Sequence, residues 1–256
     1  MNEENVTPPE QGLQTEDQYE ELSKTEAMAG VFTAPGETYE TIAGTPKKNY
    51  WLLPLLICVI AALISAFLFM QDNELATKTM DKQKEKMRAR MEQNVKDGKM
   101  TQEDVNKAMD KMNPQGTIFK LFGYGGAIVG TFLILFILSI IYFVILKIMK
   151  AHVDFGNILN VVGLAMLITA IGSLLSIVAS ILKGDTVSIG LGLILSEKTV
   201  GEKLYALLNK LDIFSIWFYV TVAIGLSKVA GIDMVKSASI VFGIFILYAV
   251  ITSIVF

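Results

Sequence analysis

The stretch LFGYGGAIVGTFLILFILSIIYFVIL, residues 121–146, runs for 26 positions without an acidic or basic side chain. An α-helix needs about 20 apolar residues to cross a bilayer. Four other stretches have the same character, and the five together contain one side chain that ionises at neutral pH, Lys228. The predicted spans cover about 51–70, 121–146, 157–182, 213–232 and 237–256. The sequence therefore predicts an all-α polytopic membrane protein.

Composition agrees with a membrane protein. The chain is 52% hydrophobic with a mean hydropathy of +0.50, which is too apolar for a soluble protein of 256 residues. Residues 1–26 are polar and acidic and bury too little apolar surface to offset the entropy of ordering, so we predict a disordered acidic tail. This acidic start does not resemble a cleaved secretory signal, and we expect the first span to direct insertion. It also offers no footprint for nucleic acid.

The segment 27–46, next to the tail, has the pattern of short helical pieces. Pro35 suits a first helical turn, and Gly44 followed by Pro46 suits a helix end. Its apolar residues favour either a position on the membrane surface or a small peripheral contact with the span bundle. Lys48 and Trp51 then mark the interface before the first span.

The only large loop, residues 71–116, predicts a charged helical hairpin. Its first helix ends near Gly98, and Thr101 with Asp104 resembles the capping box of a second helix that stops at Asn113. Methionines fall near one face of each helix and predict a packed seam. Copper(I) binding by these thioethers is the alternative. The seam residues are Met80, Met87, Met91, Val95, Val105, Met109 and Met112.

The linker between the third and fourth spans predicts two features. Residues 187–195 are too short to cross a bilayer and suit a re-entrant or interfacial stretch. After them, Thr199 and Glu202 form a cap pattern for an amphipathic helix lying in the interface before the fourth span. The candidate interfacial residues of this helix are Val200, Leu204, Leu207, Leu208 and Leu211.

Small residues recur at four-residue spacing in the second and third spans. Such faces let helix backbones approach closely, and serine hydroxyls can hydrogen-bond across the contact. We predict packing within the bundle, with a dimer face as the alternative. The candidate helix-packing residues are Gly126, Gly130, Gly172, Ser176 and Ser180.

We predict no catalytic, cofactor or metal site. The spans contain no pair of acids, no Ser with His and no His-Glu motif. The single histidine, His152, falls in a short loop and suits a solvated position. Asp212 and Asp233 lie at span boundaries, where helix capping is the expected role. Cys58 is the only cysteine, which excludes an intrachain disulfide.

Orientation rests on conflicting signals. With the N-terminus in the cytoplasm, the ten Lys and Arg of 71–116 lie outside, which a count of basic residues disfavours. Nine acids nearly balance them, and a 49-residue tail would cross poorly without a signal. We predict an N-terminus inside and a C-terminus outside.

Several runs resemble the bacterial branch of the Yip (Ypt/Rab-interacting protein) family of membrane domains. They are Phe32-Thr-Ala-Pro35-Gly-Glu-Thr-Tyr39-Glu-Thr-Ile42, Tyr50-Trp51-Leu-Leu-Pro54-Leu, Leu211-Asp-Ile-Phe-Ser-Ile-Trp217 and Ile224-Gly-Leu-Ser-Lys228-Val-Ala-Gly231. The resemblance implies a five-span domain over 27–256 with a cytoplasmic N-terminus. Eukaryotic relatives take part in vesicle traffic and bind prenylated GTPases, but this chain lacks their Asp-Leu-Tyr-Gly-Pro signature. That partnership is therefore not transferred.

We expect a non-enzymatic scaffold or adaptor in the bilayer, with other membrane proteins as partners and homo-oligomerisation as an open alternative. In a bacterium this would be the cytoplasmic (inner) membrane. The alternative function is a transporter or channel subunit for a small neutral solute, because Gly190 and Gly192 could mark a broken helix beside a hydroxyl-bearing third span.

Overall fold

The computed structural model describes residues 21–45, 48–110, 116–195 and 197–255. In these ranges its regular elements are helices, apart from one isolated bridge between Gly190 and Asp212. Five of the helices, α3, α6, α7, α11 and α12, are long and apolar enough to cross a membrane, as predicted. The helices are α1 (Lys24–Thr33), α2 (Pro35–Gly44), α3 (Leu52–Gln71), α4 (Asn73–Lys96), α5 (Gln102–Asp110), α6 (Thr117–Ile148), α7 (Phe155–Lys183), α8 (Leu191–Ile194), α9 (Glu197–Val200), α10 (Glu202–Lys210), α11 (Ile213–Ala230) and α12 (Met234–Val255).

The third span, α7, is the central helix of the bundle. In its most apolar window 56% of the residues are buried, against 22% in each of α3, α6 and α12. Helices α3, α6 and α11 pack directly on α7, and α12 packs on α11. A helix that is apolar all round suits this enclosed position.

Two glycines of α7 determine where its neighbours begin. A Cβ on Gly163 would lie 2.9 Å from the Trp51 Cα, and a Cβ on Gly172 would lie 2.7 Å from the Phe214 Cβ. Helix α11 therefore starts beside Gly172, about 16 Å before the end of α7 along its axis. The chain between α7 and α11 must fold back along the bundle to reach that level.

The returning chain is held by hydrogen bonds. The Val187 N–H donates to Ser180 Oγ at 3.0 Å, and the Ile213 N–H donates to the Ile189 carbonyl at 3.3 Å. Gly190 lies against the backbone of Asp212, where a Cβ would come within 2.8 Å of the Asp212 Cα. The stretch 187–195 therefore folds back against the bundle, and its position as a re-entrant or interfacial segment stays a prediction.

The first helix begins earlier than the sequence indicated. We predicted a disordered tail through residue 26, but α1 starts at Lys24 because Ser23 and Glu26 form a reciprocal capping box. The Glu26 N–H donates to Ser23 Oγ at 3.1 Å, and the Ser23 N–H donates to the Glu26 carboxylate at 2.8 Å. The rest of the predicted tail, residues 1–20, lies outside the described residues.

Helices α1 and α2 pack against the spans, which is the peripheral-contact alternative. Ala27, Val31 and Tyr39 are fully buried. Pro35 is at the first position of α2 and Gly44 is its last residue, as predicted. The two helices contact each other, α7 and α11, so they form part of the bundle.

Candidate interaction surfaces

A buried amide, Asn160, joins α7 to the start of the first span. Its Oδ1 accepts the N–H groups of Tyr50 at 2.9 Å and Trp51 at 3.2 Å, and its Nδ2 donates to the Lys48 carbonyl at 2.9 Å. Asn160 is 2% exposed. We call these four residues the Asn160 clasp, and it satisfies backbone groups that precede α3 and have no helical partner.

The same segment also holds the chain before α1. The Tyr50 hydroxyl and the Lys48 ammonium donate to the Leu22 carbonyl at 2.9 and 3.0 Å. Lys48 also pairs with Glu21 at 3.0 Å. The Glu21 hydrogen bond raises the pKa of Lys48, and burial raises the pKa of Tyr50. Both ends of the α1–α2 unit are therefore held at one place.

Helix α2 is held at two further points. The buried Tyr39 hydroxyl donates to the Val161 carbonyl at 3.1 Å, and burial raises its pKa. Gly225 of α11 lies against the side chains of Tyr39 and Val161. At the surface, Glu40 pairs with Lys228 at 2.6 Å. The one charged residue of the predicted spans thus has an acidic partner, the usual arrangement for ionisable groups near a bilayer.

The small residues predicted to pack divide into two groups. Gly172 contacts Phe214 closely, and the buried Ser180 hydroxyl donates to the Ser176 carbonyl at 2.7 Å. Gly126 and Gly130 have no atom within 4 Å of an added Cβ. Bundle packing is therefore wrong for this pair, because α6 contacts α3 and α7 through a different face, where Leu135, Tyr142 and Leu146 are buried. The dimer alternative stays a prediction.

The predicted amphipathic helix is interrupted. Gly201 has a φ of +84° and separates α9 from α10, so Thr199 lies inside α9 instead of capping a longer helix. Leu204, Leu207 and Leu208 lie in α10, where Leu204 is 47% exposed and the other two are half-buried. Val200 belongs to α9, and Leu211 follows α10. Helix α10 contacts α12, and its position relative to the lipid interface stays a prediction.

The base of the helical hairpin docks on the bundle. Lys78 Nζ donates to the Gly184 carbonyl at 2.7 Å, the Thr79 and Thr186 hydroxyls are 3.0 Å apart, and Lys82 pairs with Asp185 at 3.0 Å. Burial opposes ionisation of Asp185, but the hydrogen bond and charge of Lys82 outweigh it and lower its pKa.

Beyond the base, the hairpin projects from the bundle. In the described part of 83–109, Val105 is the one buried side chain. The Thr101–Asp104 capping box is present, with the Asp104 N–H donating to Thr101 Oγ1 at 3.2 Å.

The predicted methionine seam is shorter than expected. Met91, Val95 and Met109 are half-buried, whereas Met80 belongs to the docked base and Met87 is 40% exposed. Asn113 and Met112 lie outside the described residues. The copper alternative stays a prediction.

The remaining polar candidates have the expected structural roles. The Asp212 carboxylate accepts the N–H groups of Phe214 and Ser215 at 2.9 and 3.0 Å, and Asp233 accepts that of Val235 at 2.9 Å. Both are helix caps. His152 is exposed in the loop before α7. In the described part of the chain, no group of three or more His, Cys, Asp or Glu could hold a metal ion.

Comparison with known proteins agrees with this architecture. The Yip1 domain model matches residues 29–256, from within α1 to the last residue. The chain belongs to the Yip1 domain family. It is similar to the membrane protein YknW of Bacillus subtilis strain 168, with 27% identity over 237 residues that cover 90% of each chain. No solved structure matches significantly.

The Yip1 match includes the second half of α1, all of α2 and the projecting hairpin. Because it starts at Ala29, the packing of Val31 and of α2 on the bundle is part of the Yip1 domain. The chain is therefore a multi-pass integral membrane protein of this family, consistent with the resemblance in its sequence. Neither comparison assigns it an activity.

Proposed function

We propose that this Yip1 protein is a non-enzymatic adaptor that presents its hairpin, α4–α5, to other membrane proteins. The observation that supports this most is the hairpin's attachment. The first part of α4, residues 73–82, docks on the bundle. Beyond it, the rest of α4 packs against α5. An exposed element docked on a membrane bundle is suited to contact with a partner.

The contacts inside the spans are those of a packed bundle. The hydroxyls of Thr169, Ser173 and Ser180 in α7 donate to carbonyls of their own helix at 2.7 to 2.8 Å. The Ser237 hydroxyl donates to the Ala223 carbonyl of the neighbouring span. These hydroxyl hydrogens are already donated within the protein and are not available to a solute, which favours an adaptor over a transporter for a neutral solute.

The test is affinity purification of the full chain from its native membranes in mild detergent. One variant replaces residues 84–111 with a Gly/Ser linker and keeps the docked base of α4. The adaptor function predicts reproducible partners that the linker variant loses. As a matched control, Leu204→Ser in α10 should keep them. Unchanged partners in the linker variant would contradict the assignment of the hairpin.

Reconstitution in liposomes provides the opposing outcome. The adaptor function predicts no substrate-dependent flux in a panel of small neutral solutes. Flux that requires the protein would establish the transporter alternative instead.

We also propose that the N-terminus lies in the cytoplasm and, in a bacterium, that the protein resides in the inner membrane. Five spans put the two termini on opposite sides. A reporter that is active only outside the cytoplasm, fused after Phe256, should then be active. A signal from a cytoplasm-only reporter at that position would reverse the orientation.

Association with a second copy is proposed for α6. The open positions Gly126 and Gly130 are four residues apart on one face, a spacing that favours helix pairing in membranes. Replacing both with leucine should abolish a crosslinked dimer, whereas Gly243→Leu, another open glycine, should not. An unchanged dimer in the double variant would contradict this face.

A further inference from the structure

The second half of α4 carries an uneven charge. We call residues 83–96 of this helix the distal arm. It contains five basic residues, Lys84, Lys86, Arg88, Arg90 and Lys96, and two acids, Glu85 and Glu92. Most of its side chains are exposed. The arm is therefore a basic surface outside the spans.

The other half of the hairpin has the opposite sign. Residues 97–110 contain four acids, Asp97, Glu103, Asp104 and Asp110, and two lysines, Lys99 and Lys107. Because α5 packs against α4, the hairpin has one basic helix and one acidic segment side by side. In the field of an anionic surface, such an element orients with its basic helix inward.

The contacts of Lys78 and Lys82 show which face of α4 lies toward the bundle at its base. Lys78 and Lys82 contact the 184–186 loop, which directly follows the last residue of span α7. Residues four apart lie on one face of a helix, so Lys86 and Arg90 continue the face of Lys82. Because span α7 ends at this loop, we expect the headgroup layer around the spans to lie at the level of the docked base.

We propose that the distal arm rests on anionic phospholipid headgroups of the leaflet where α3 and α7 end. The basic side chains would meet lipid phosphates there, and the acidic α5 segment would face away from the membrane. This goes beyond the adaptor function, because it concerns the lipid surface under the hairpin and not the membrane protein that binds the hairpin.

The experiment uses the full chain in nanodiscs of phosphatidylcholine alone or of phosphatidylcholine with phosphatidylglycerol. Cys58→Ala removes the only cysteine, and a spin label is then placed at Ala89 in the arm or at Asn106 in α5. The readout is the collision rate of each label with a water-soluble nickel reagent. With the anionic lipid we expect a lower rate at Ala89 and an unchanged rate at Asn106.

Salt supplies a test that needs no charge variant. The screening length falls from about 10 Å at 0.1 M to about 3 Å at 1 M salt, so high salt should restore the collision rate at Ala89 to its phosphatidylcholine value. A rate that is equal in both lipids at low salt would overturn the proposal. So would a lipid effect that survives high salt, because it would indicate a contact that is not electrostatic.

A charge-reversed pair provides the matched control. Lys86→Glu with Arg90→Glu should lower the ratio of lipid-bound to free arm roughly 20-fold or more, because each basic residue near an anionic surface contributes about fivefold. Lys99→Glu with Lys107→Glu makes the same net change outside the arm and should leave the lipid contact in place. Equal losses in the two variants would overturn the assignment to the arm. The proposal would also be overturned if the collision rate at Ala89 fell only when a partner protein was added, in phosphatidylcholine alone.

Discussion

Replacing Asn160 with leucine tests whether the Asn160 clasp holds the first span in place. The leucine has the same branched arrangement of side-chain heavy atoms but removes the partner of two N–H groups and one carbonyl. A buried backbone group left without a partner costs about 1–3 kcal/mol. Tyr50 and Asn160 are each 2% exposed, so water cannot readily reach the Tyr50 N–H. We therefore expect a loss of at least about 3 kcal/mol in the free energy of unfolding.

The assay is equilibrium unfolding of the full chain in mixed micelles. Hydrogen exchange of the segment that contains Tyr50 and Trp51 provides a local readout. A loss of about 3 kcal/mol corresponds to roughly 100-fold faster exchange there if exchange follows opening of the clasp.

Asn157, one turn earlier on the same helix, gives the control. It has the same side chain and is half-buried at the bundle end. Asn157→Leu should change the stability by less than about 1 kcal/mol, as exposed or partly exposed sites do. If the Asn160 and Asn157 variants unfold alike, and exchange at Tyr50 is unchanged, the clasp does not anchor the span.

Three further changes test other contacts. Gly225→Ala would place a Cβ 2.5 Å from a Val161 methyl carbon and should cost about 1–3 kcal/mol of unfolding free energy, whereas Gly243→Ala, which faces open space, should not destabilise the protein. Lys150 has a φ of 61°, so Lys150→Gly should stabilise the chain by about 1 kcal/mol, and a lower unfolding midpoint would contradict this. The lowered pKa of Asp185 makes its ion pair with α4 stabilising at neutral pH, and this contribution, below about 1 kcal/mol, is lost as the pH falls through that pKa. Acid should therefore lower the hydrogen-exchange protection factors in the base of α4, which compare each measured rate with the intrinsic amide rate at the same pH, and Asp185→Asn should remove most of this response.

The sequence predicts the elements whose signal is local. Charge gaps locate all five spans, because a span must be apolar over its whole length. Asp212, Asp233 and the Thr101–Asp104 pair are predicted correctly as caps, since a cap depends on residues within one turn. The start of α1 is missed although its capping box is also local, because the surrounding composition favours disorder.

The sequence does not predict contacts between residues that are distant along the chain. Asn160 was not singled out, and the only signal for it was an amide within an apolar span, where burial without a partner is costly. Likewise, Gly126 and Gly172 have equivalent sequence patterns, yet only Gly172 faces another helix. Which face of a span meets a neighbour depends on the arrangement of the bundle, and four-residue spacing does not encode it.

The Asn160 clasp also sets an order of events during synthesis. Tyr50 and Asn160 are 110 positions apart, and ribosomes add about 5–20 residues per second. For roughly 5 to 20 seconds the first span therefore stands in the membrane before the amide that receives it has been made. During that interval the peptide groups at its leading edge lack the amide that binds them in the folded protein, and water or the insertion machinery must take its place until α7 is made.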